Sequence, residues 1–182
     1  MKYKLAFLAI MFSGLTAYLF VHNGYYPVAI VDSRMILARD FEREFNSALI
    51  YYQNALATYS DQKIDLTRVA DFVLELRRAT LDNLIEDVLI SNELKGRLGD
   101  SLEKVLVEKL PSFNESAAAL YGLTPSEFKE RVLVPQAHRE FLESYLVKEK
   151  SNLQDWLADS KGFASVYIFV GRFHWDAGVA LK

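Results

Sequence analysis

The sequence predicts a mainly α fold: an N-terminal transmembrane helix, then a helical domain whose first and last strands pair into a small two-stranded sheet. Three observations carry this expectation. Lys2 and Lys4 precede residues 5–21, a run of seventeen without a charge. Beyond that run, apolar residues step by three and four along most of the chain, the spacing of a helix with one buried face. Two short β-branched runs, PVAIV at 27–31 and FASVYIFV at 163–170, lie near opposite ends.

At about 1.5 Å per residue, residues 5–21 make a helix of roughly 26 Å, just short of a hydrocarbon core about 30 Å thick. Uncharged His22 to Tyr26 supply the missing length. A secretory signal peptide would need a small-x-small cleavage pair. Gly14 with Thr16, Leu15 with Ala17 and His22 with Gly24 all fit that pattern badly. The sequence therefore favours an uncleaved signal anchor over residues 1–24, with a cleaved signal peptide or a buried core helix as alternatives. The two lysines place the N-terminus in the cytoplasm and the domain of residues 25–182 outside the cell membrane, in a single pass.

Removing Lys2 and Lys4 leaves 19 Lys+Arg against 24 Asp+Glu, a net charge near −5 for the domain. That balance argues against nucleic acid as a partner, because phosphate contacts need basic patches. The chain has no cysteine, hence no disulfide, no thiolate metal site and no lipid-bearing residue. Four prolines and eight glycines give no linker and no low-complexity stretch.

Residues 27–31 read as a strand broken by Asp32-Ser33. From Ala38 to Tyr59, the positions Phe41, Phe45, Ala48, Leu49, Tyr52, Leu56 and Tyr59 form one stripe, which Ile50 and Tyr51 leave. After a polar break at 61–65, Val69, Phe72, Val73 and Leu76 mark a short helix. A second helix is expected from near Thr80 to Gly96 or Gly99. Asp100 with Glu103 resembles a capping pair for a third, ending at Pro111. Thr124-Pro125-Ser126-Glu127 is the strongest local signal: threonine caps, proline takes the first helical position, and Glu127 reaches back to the cap amide. The helix it opens is expected to run to about Asp159 with a kink at Pro135. The strand at 163–170 then pairs with 27–31 and ties the ends of the domain together.

Three segments together resemble the extracytoplasmic chaperones of the SurA and PrsA type. RATLDNLIEDVLISNELKGRLGDSLEKVL (78–106) is similar to their L-x-x-L-I-x-x-x-L-L-x-x-x-A-x-x-x-G segment. LYGLTPSEFKERVLVPQAHREFLESYL (120–146) is similar to their G-x-x-x-x-E-F-x-x-x-V helix. PVAIVDSRMILARDFEREF (27–45) follows their strand, tight turn and helix headed by an acidic-aromatic pair, here Asp40-Phe41. The resemblance implies a domain like the N-terminal one of SurA that holds unfolded or nascent exported polypeptides. Their parvulin-type prolyl isomerase domain has no counterpart, since nothing resembling its histidine-containing strands lies between Leu146 and Lys182. No catalytic residue is carried over, and no enzymatic activity is expected.

The residues themselves point the same way. His22, His138 and His174 are far apart, and none has a partner at metal-ligand spacing, so no metal or other cofactor is expected. His138 reads as a surface or satisfied interhelical residue, and His174-Trp175-Asp176 as a turn with an aromatic anchor. Phe173 and Trp175 fit a place under the terminal sheet better than one at the membrane. Glu86-Asp87, Glu127, Glu130 and Glu143 read as solvated helix faces rather than a glycan-cleaving pair. Ten tyrosines and twelve phenylalanines are the more informative excess. Tyr51, Tyr52, Tyr121 and Phe128 are the candidate peptide-binding residues, able to grip apolar side chains without demanding a sequence. Ile50 and Tyr51 could equally pack on a neighbouring helix of the same domain. A second functional class stays open, a structural or adaptor subunit that binds one dedicated envelope protein. Self-association into a homo-oligomer is compatible with either.

Overall fold

The computed structural model describes residues 11, 13–15, 17–59, 65–110, 113 and 115–181. Most of the first half of the proposed anchor lies outside these residues. Residues 17–22 are helical. Among the described residues no helix is long and apolar enough to cross a membrane.

The first strand, β1 (Pro27–Val31), turns back at once into β2 (Arg34–Leu37). Asp32 and Ser33 both take positive φ, 45° and 73°, the pair of left-handed residues that a two-residue hairpin with matching strand twist requires. What reads in the sequence as a break is therefore a hairpin turn, and β2 is an element the sequence pattern did not reveal. On its other edge β1 pairs antiparallel with β3 (Val166–Ile168), from the far end of the chain. Asp32 fixes this closure twice: its amide donates to the Ser165 carbonyl at 3.0 Å, and its carboxylate accepts from the Ser165 amide at 3.0 Å. The terminal strands do pair as expected, but the sheet has three strands in the order β2-β1-β3. The tail adds a separate hairpin, β4 (Phe173–Trp175) with β5 (Val179–Leu181), where the sequence suggested a turn at His174.

Helix α1 covers Ala38–Tyr59, as its stripe predicts. Helix α2 runs unbroken from Ala70 to Leu98, where the sequence suggested two helices. Nothing between Leu76 and Thr80 breaks a helix. Thr80 does not cap a new one but donates its hydroxyl back to the Leu76 carbonyl at 2.7 Å. Gly96 stays inside α2, and Gly99 ends it with φ +54°. Helix α3 (Ser101–Lys109) follows, but Asp100 has helical backbone angles and makes no capping bond, so the expected capping pair does not form. A short α4 (Glu115–Leu120) leads to the capping box.

The Thr124 box forms as read from the sequence: the Glu127 amide donates to the threonine hydroxyl at 3.3 Å and the Thr124 amide donates to the Glu127 carboxylate at 3.1 Å. It opens α5 (Pro125–Phe128), which passes through a π turn at Lys129–Leu133 into α6 (Val134–Lys148). The π turn sits immediately before Pro135, so the widened backbone lies where proline cannot donate its bond. The helix stops at Lys148 rather than near Asp159. Lys150 has φ +59°, and the Asn152 side chain accepts from the Asp155 amide at 2.9 Å to cap a new helix, α7 (Leu153–Phe163). Phe163 thus ends a helix and is 91% exposed, instead of starting the last strand.

Three apolar clusters draw on α2, the smallest of them joining Leu76 to Phe45 and Leu49 of α1. Phe41, Leu81 and Ile85 pack under β1, with Phe173 and Val179 of the tail buried against them and Trp175 alongside. Ile90 and Leu94 pack against Leu102, Leu106, Phe141, Leu142 and Leu146 at the other end of the helix.

Candidate functional site

At the far end of α1, six aromatic rings not joined by any local motif touch in a chain. Tyr52 meets Phe72 of α2 edge-on at 5.6 Å and Tyr51 at 5.8 Å. Tyr51 stacks on Tyr121 with centroids 4.6 Å apart and an interplanar angle of 18°. Tyr121 leans on Phe128 at 5.4 Å, and Phe128 on Phe113 at 5.2 Å. The four candidate residues Tyr51, Tyr52, Tyr121 and Phe128 are therefore brought together, and Phe72 and Phe113, which the sequence did not single out, extend the row at both ends.

Polar bonds hold the loop after α4 onto α1. The Ser47 hydroxyl donates to the Tyr121 carbonyl at 3.1 Å, and the Asn54 amide donates to the Leu120 carbonyl at 2.8 Å. Gly122 has φ +65°, a left-handed backbone that favours glycine, and a β-carbon there would lie 2.8 Å from Cδ1 of Ile50, whose side chain would have to shift. Ile50 and Tyr51 thus pack on a neighbouring segment and still show open faces. Ile50 is 36% exposed, Tyr51 37% and Tyr52 45%, with Leu120 beside them at 49%. Phe128 is buried at 5% and supports Tyr121 from beneath instead of presenting a face. Burial, and after it the neighbouring Tyr51, push the Tyr121 hydroxyl above its ordinary range.

One turn before Tyr51 and Tyr52, Ala48 lines an open cleft of about 530 Å³. Its walls are α1 (Asp40, Glu44), α2 (Leu84, Asp87, Ser91) and the helix through the π turn (Arg131, Pro135, His138), with Met35 of β2 at one end. Arg131 donates to Glu44 at 2.8 Å and lies 3.8 Å from Asp40. Arg139 bridges Glu86 at 2.9 Å and Asp87 at 3.0 Å, while Lys161 holds Glu86 at 2.7 Å. Burial pushes the Glu44 and Asp87 carboxyls up against the pull of these cations. The carboxylates Glu86 and Asp87 are thus neutralised structural pairs, Glu127 is spent in the capping box, and Glu143 is on an exposed position of α6.

His138 departs from its sequence reading. Its Nε2 is buried without a hydrogen-bond partner, so it is not a satisfied interhelical residue. Burial first, and then the charge on Lys95, depress its pKa below the ordinary histidine value. His174 lies exposed in β4, and His22 stacks on Tyr18 at 5.5 Å. Among the described residues no group of three or more histidines or carboxylates could hold a metal ion. What the cleft and the aromatic row offer is apolar surface beside fixed charge, a binding geometry. No protein-family model matches the chain, and no curated protein or solved structure matches it either.

Proposed function

We propose that the chain is a membrane-anchored, extracytoplasmic chaperone of the SurA and PrsA kind, which holds unfolded or nascent exported polypeptides by binding alone, without isomerase activity. The observation that carries this reading is the row of tyrosines at the end of the cleft. Tyr51, stacked on Tyr121, and Tyr52, held edge-on between Tyr51 and Phe72, each expose more than a third of their surface. Rigid aromatic faces grip apolar side chains at low entropic cost and with little demand on sequence. Two further features support it: the motif resemblance across 27–45, 78–106 and 120–146, and the apolar residues 5–21, which would tether the domain near the point where clients emerge and so raise their effective concentration.

The test is fluorescence anisotropy of the 182-residue chain in nanodiscs, titrated with several unrelated unfolded polypeptides and a folded control. Similar binding across the unfolded set, absent for the control and weakened about tenfold or more by joint Tyr51→Ala and Tyr52→Ala substitution, is the expected result, since each stacked aromatic contact is worth about 0.5–1.5 kcal/mol beyond its buried area. Binding to none would replace the chaperone with the adaptor that serves one dedicated partner. Unchanged binding in the double variant would move the site away from the tyrosines.

A further inference from the structure

The junction between the N-terminal helix and the domain contains no free linker. The Gly24 amide donates to the Val21 carbonyl at 3.0 Å and the Tyr25 amide to the Phe20 carbonyl at 3.0 Å, closing the helix end. Gly24 and Tyr26 are in turn bonded to the opening of α1: the Arg39 amide donates to the Gly24 carbonyl at 3.1 Å, and the Ala38 amide to the Tyr26 carbonyl at 2.9 Å. Gly24 has φ +69°, and a β-carbon on it would lie 2.8 Å from the Arg39 nitrogen, which is backbone and cannot move aside. Side chains add to the lock. Phe20 and Tyr25 have ring centroids 5.5 Å apart, and the Arg39 guanidinium sits 4.5 Å above the Tyr25 ring. A helix fixed this way sets the posture of the whole domain.

The surface around this junction is aromatic and open. Tyr25 is 40% exposed and Tyr26 44%. The β1–β3 register brings in a third ring, because the Phe169 amide donates to the Val28 carbonyl at 2.8 Å, and Phe169 is 58% exposed. Arg39 stands among them with a side chain 44% exposed and only a loose 3.6 Å pair to its neighbour Asp40. Tyrosine rings and an arginine on an apolar stem are the side chains favoured at the boundary of hydrocarbon and headgroups. No acidic residue occurs before Asp32.

From the lock and the aromatic rim together, we propose that the sheet end of the domain is pressed against the membrane surface, with Tyr25, Tyr26 and Phe169 at headgroup depth and Arg39 directed to lipid phosphate. This rests on the reading of residues 5–21 as an anchor. The tip of the β1–β2 hairpin, one strand length or about 16 Å away, then points out from the membrane. The cleft and the tyrosine row are carried on α1, whose start the lock holds at the surface.

The absence of cysteine makes the test direct. Tyr26→Cys, Phe169→Cys and, as the remote position, Phe163→Cys are each labelled with an environment-sensitive nitrobenzoxadiazole. The full chain is reconstituted in phosphatidylcholine–phosphatidylglycerol vesicles, with and without lipids spin-labelled at the headgroup. Expected are co-flotation of all three, a blue-shifted emission quenched by the spin-labelled lipid at 26 and 169, and neither effect at 163. Gly24→Ala should keep flotation and lose the contrast between positions. Flotation with all three labels alike, or shielding at 26 and 169 that the labelled lipid does not quench, overturns the membrane contact while leaving the anchor; the second result would show protein covering the patch. Failure to float overturns the anchor reading itself, and this posture with it.

Discussion

Around β1 the chain returns from three places: the hairpin partner β2, the late strand β3, and the tail residues Phe173 and Val179, all closed over Phe41, Leu81 and Ile85. At the far end of α1 the arrangement is different. There Ala118, Phe128 and Leu133 form a small cluster, and the loop that covers it is held by hydrogen bonds from Ser47 and Asn54 and by stacked rings that stay partly in water. The core of the first region is closed, Phe41, Leu81 and Ile85 being at most 1% exposed, while the second leaves Tyr51 and Tyr52 more than a third open. Burial stabilises in proportion to area removed from water, so the closed core under the sheet supplies stability, while the arm formed by α4 and its loop on the end of α1 adds less and keeps its rings partly in water.

Removing a ring from the closed region should have the largest effect. Phe41→Ala is expected to cost about 3–5 kcal/mol by urea unfolding, whereas Tyr52→Ala should stay near or below about 1 kcal/mol. Equal losses would end the distinction between the two regions. Next in size is Gly122→Ala, which combines a left-handed backbone with a β-carbon 2.8 Å from Ile50. A cost of about 1–3 kcal/mol is expected. Hydrogen exchange should show its effect mainly in α4 and the following loop, with the β1–β3 amides unchanged; faster exchange throughout would mean that arm and sheet unfold as one unit.

The same contrast separates what the sequence disclosed from what it hid. The stripe of α1 and the Thr124 box are local codes, and both appear at the expected residues. Pairing of the terminal strands was legible because an apolar β-branched run near each end has few other partners. β2 was not, since RMIL is four residues with no alternation of its own and becomes a strand only because β1 lies beside it. Thr80 read as a helix start because threonine caps well, yet with neither glycine nor proline near it the helix simply continued. The stop at Lys148 did leave a signal: Asn152 with Asp155 is a capping pair, overshadowed by the apolar period on both sides. Of the candidate site, Tyr51 was marked by leaving its stripe, but its stack on Tyr121, seventy positions away, depends on Gly122 and the loop geometry, as does the burial of Phe128. The cleft draws on three helices and could not be read from any one of them.

A smaller effect probes the arm's attachment. Thr124→Ala removes the hydroxyl that accepts from the Glu127 amide and should cost about 1 kcal/mol. The Glu127 carboxyl, held low by its bonds to the Thr124 amide and hydroxyl, should rise toward its ordinary value in that variant, as a carboxylate titration by NMR would show. No change in that titration would mean the box contributes little to this end of the molecule.

The cleft between the two regions should show itself through pH. The folded-state pKa of His138 lies below the ordinary value of 6.5, because burial and Lys95 disfavour the imidazolium. Protonation therefore favours the unfolded chain, so this contribution is full above about pH 6.5 and is lost as pH falls through and below it. Glu44 and Asp87 act in the opposite sense. Their carboxyls are raised, so the cost of ionising them is absent at low pH and grows as pH rises from the ordinary carboxylate range through their folded values. Substituting one residue at a time separates the two slopes. His138→Gln should close its stability gap to the parent chain as pH falls from about 8 to about 5, because the parent alone loses stability in that interval. Glu44→Gln should gain relative to the parent as pH rises through the carboxylate range, provided the Arg131 partner is retained by Asp40, 3.8 Å away. Parallel curves for His138→Gln and the parent would show that the imidazole finds a proton-sharing partner in solution, and the cleft would then be wetter and looser than the buried Nε2 indicates.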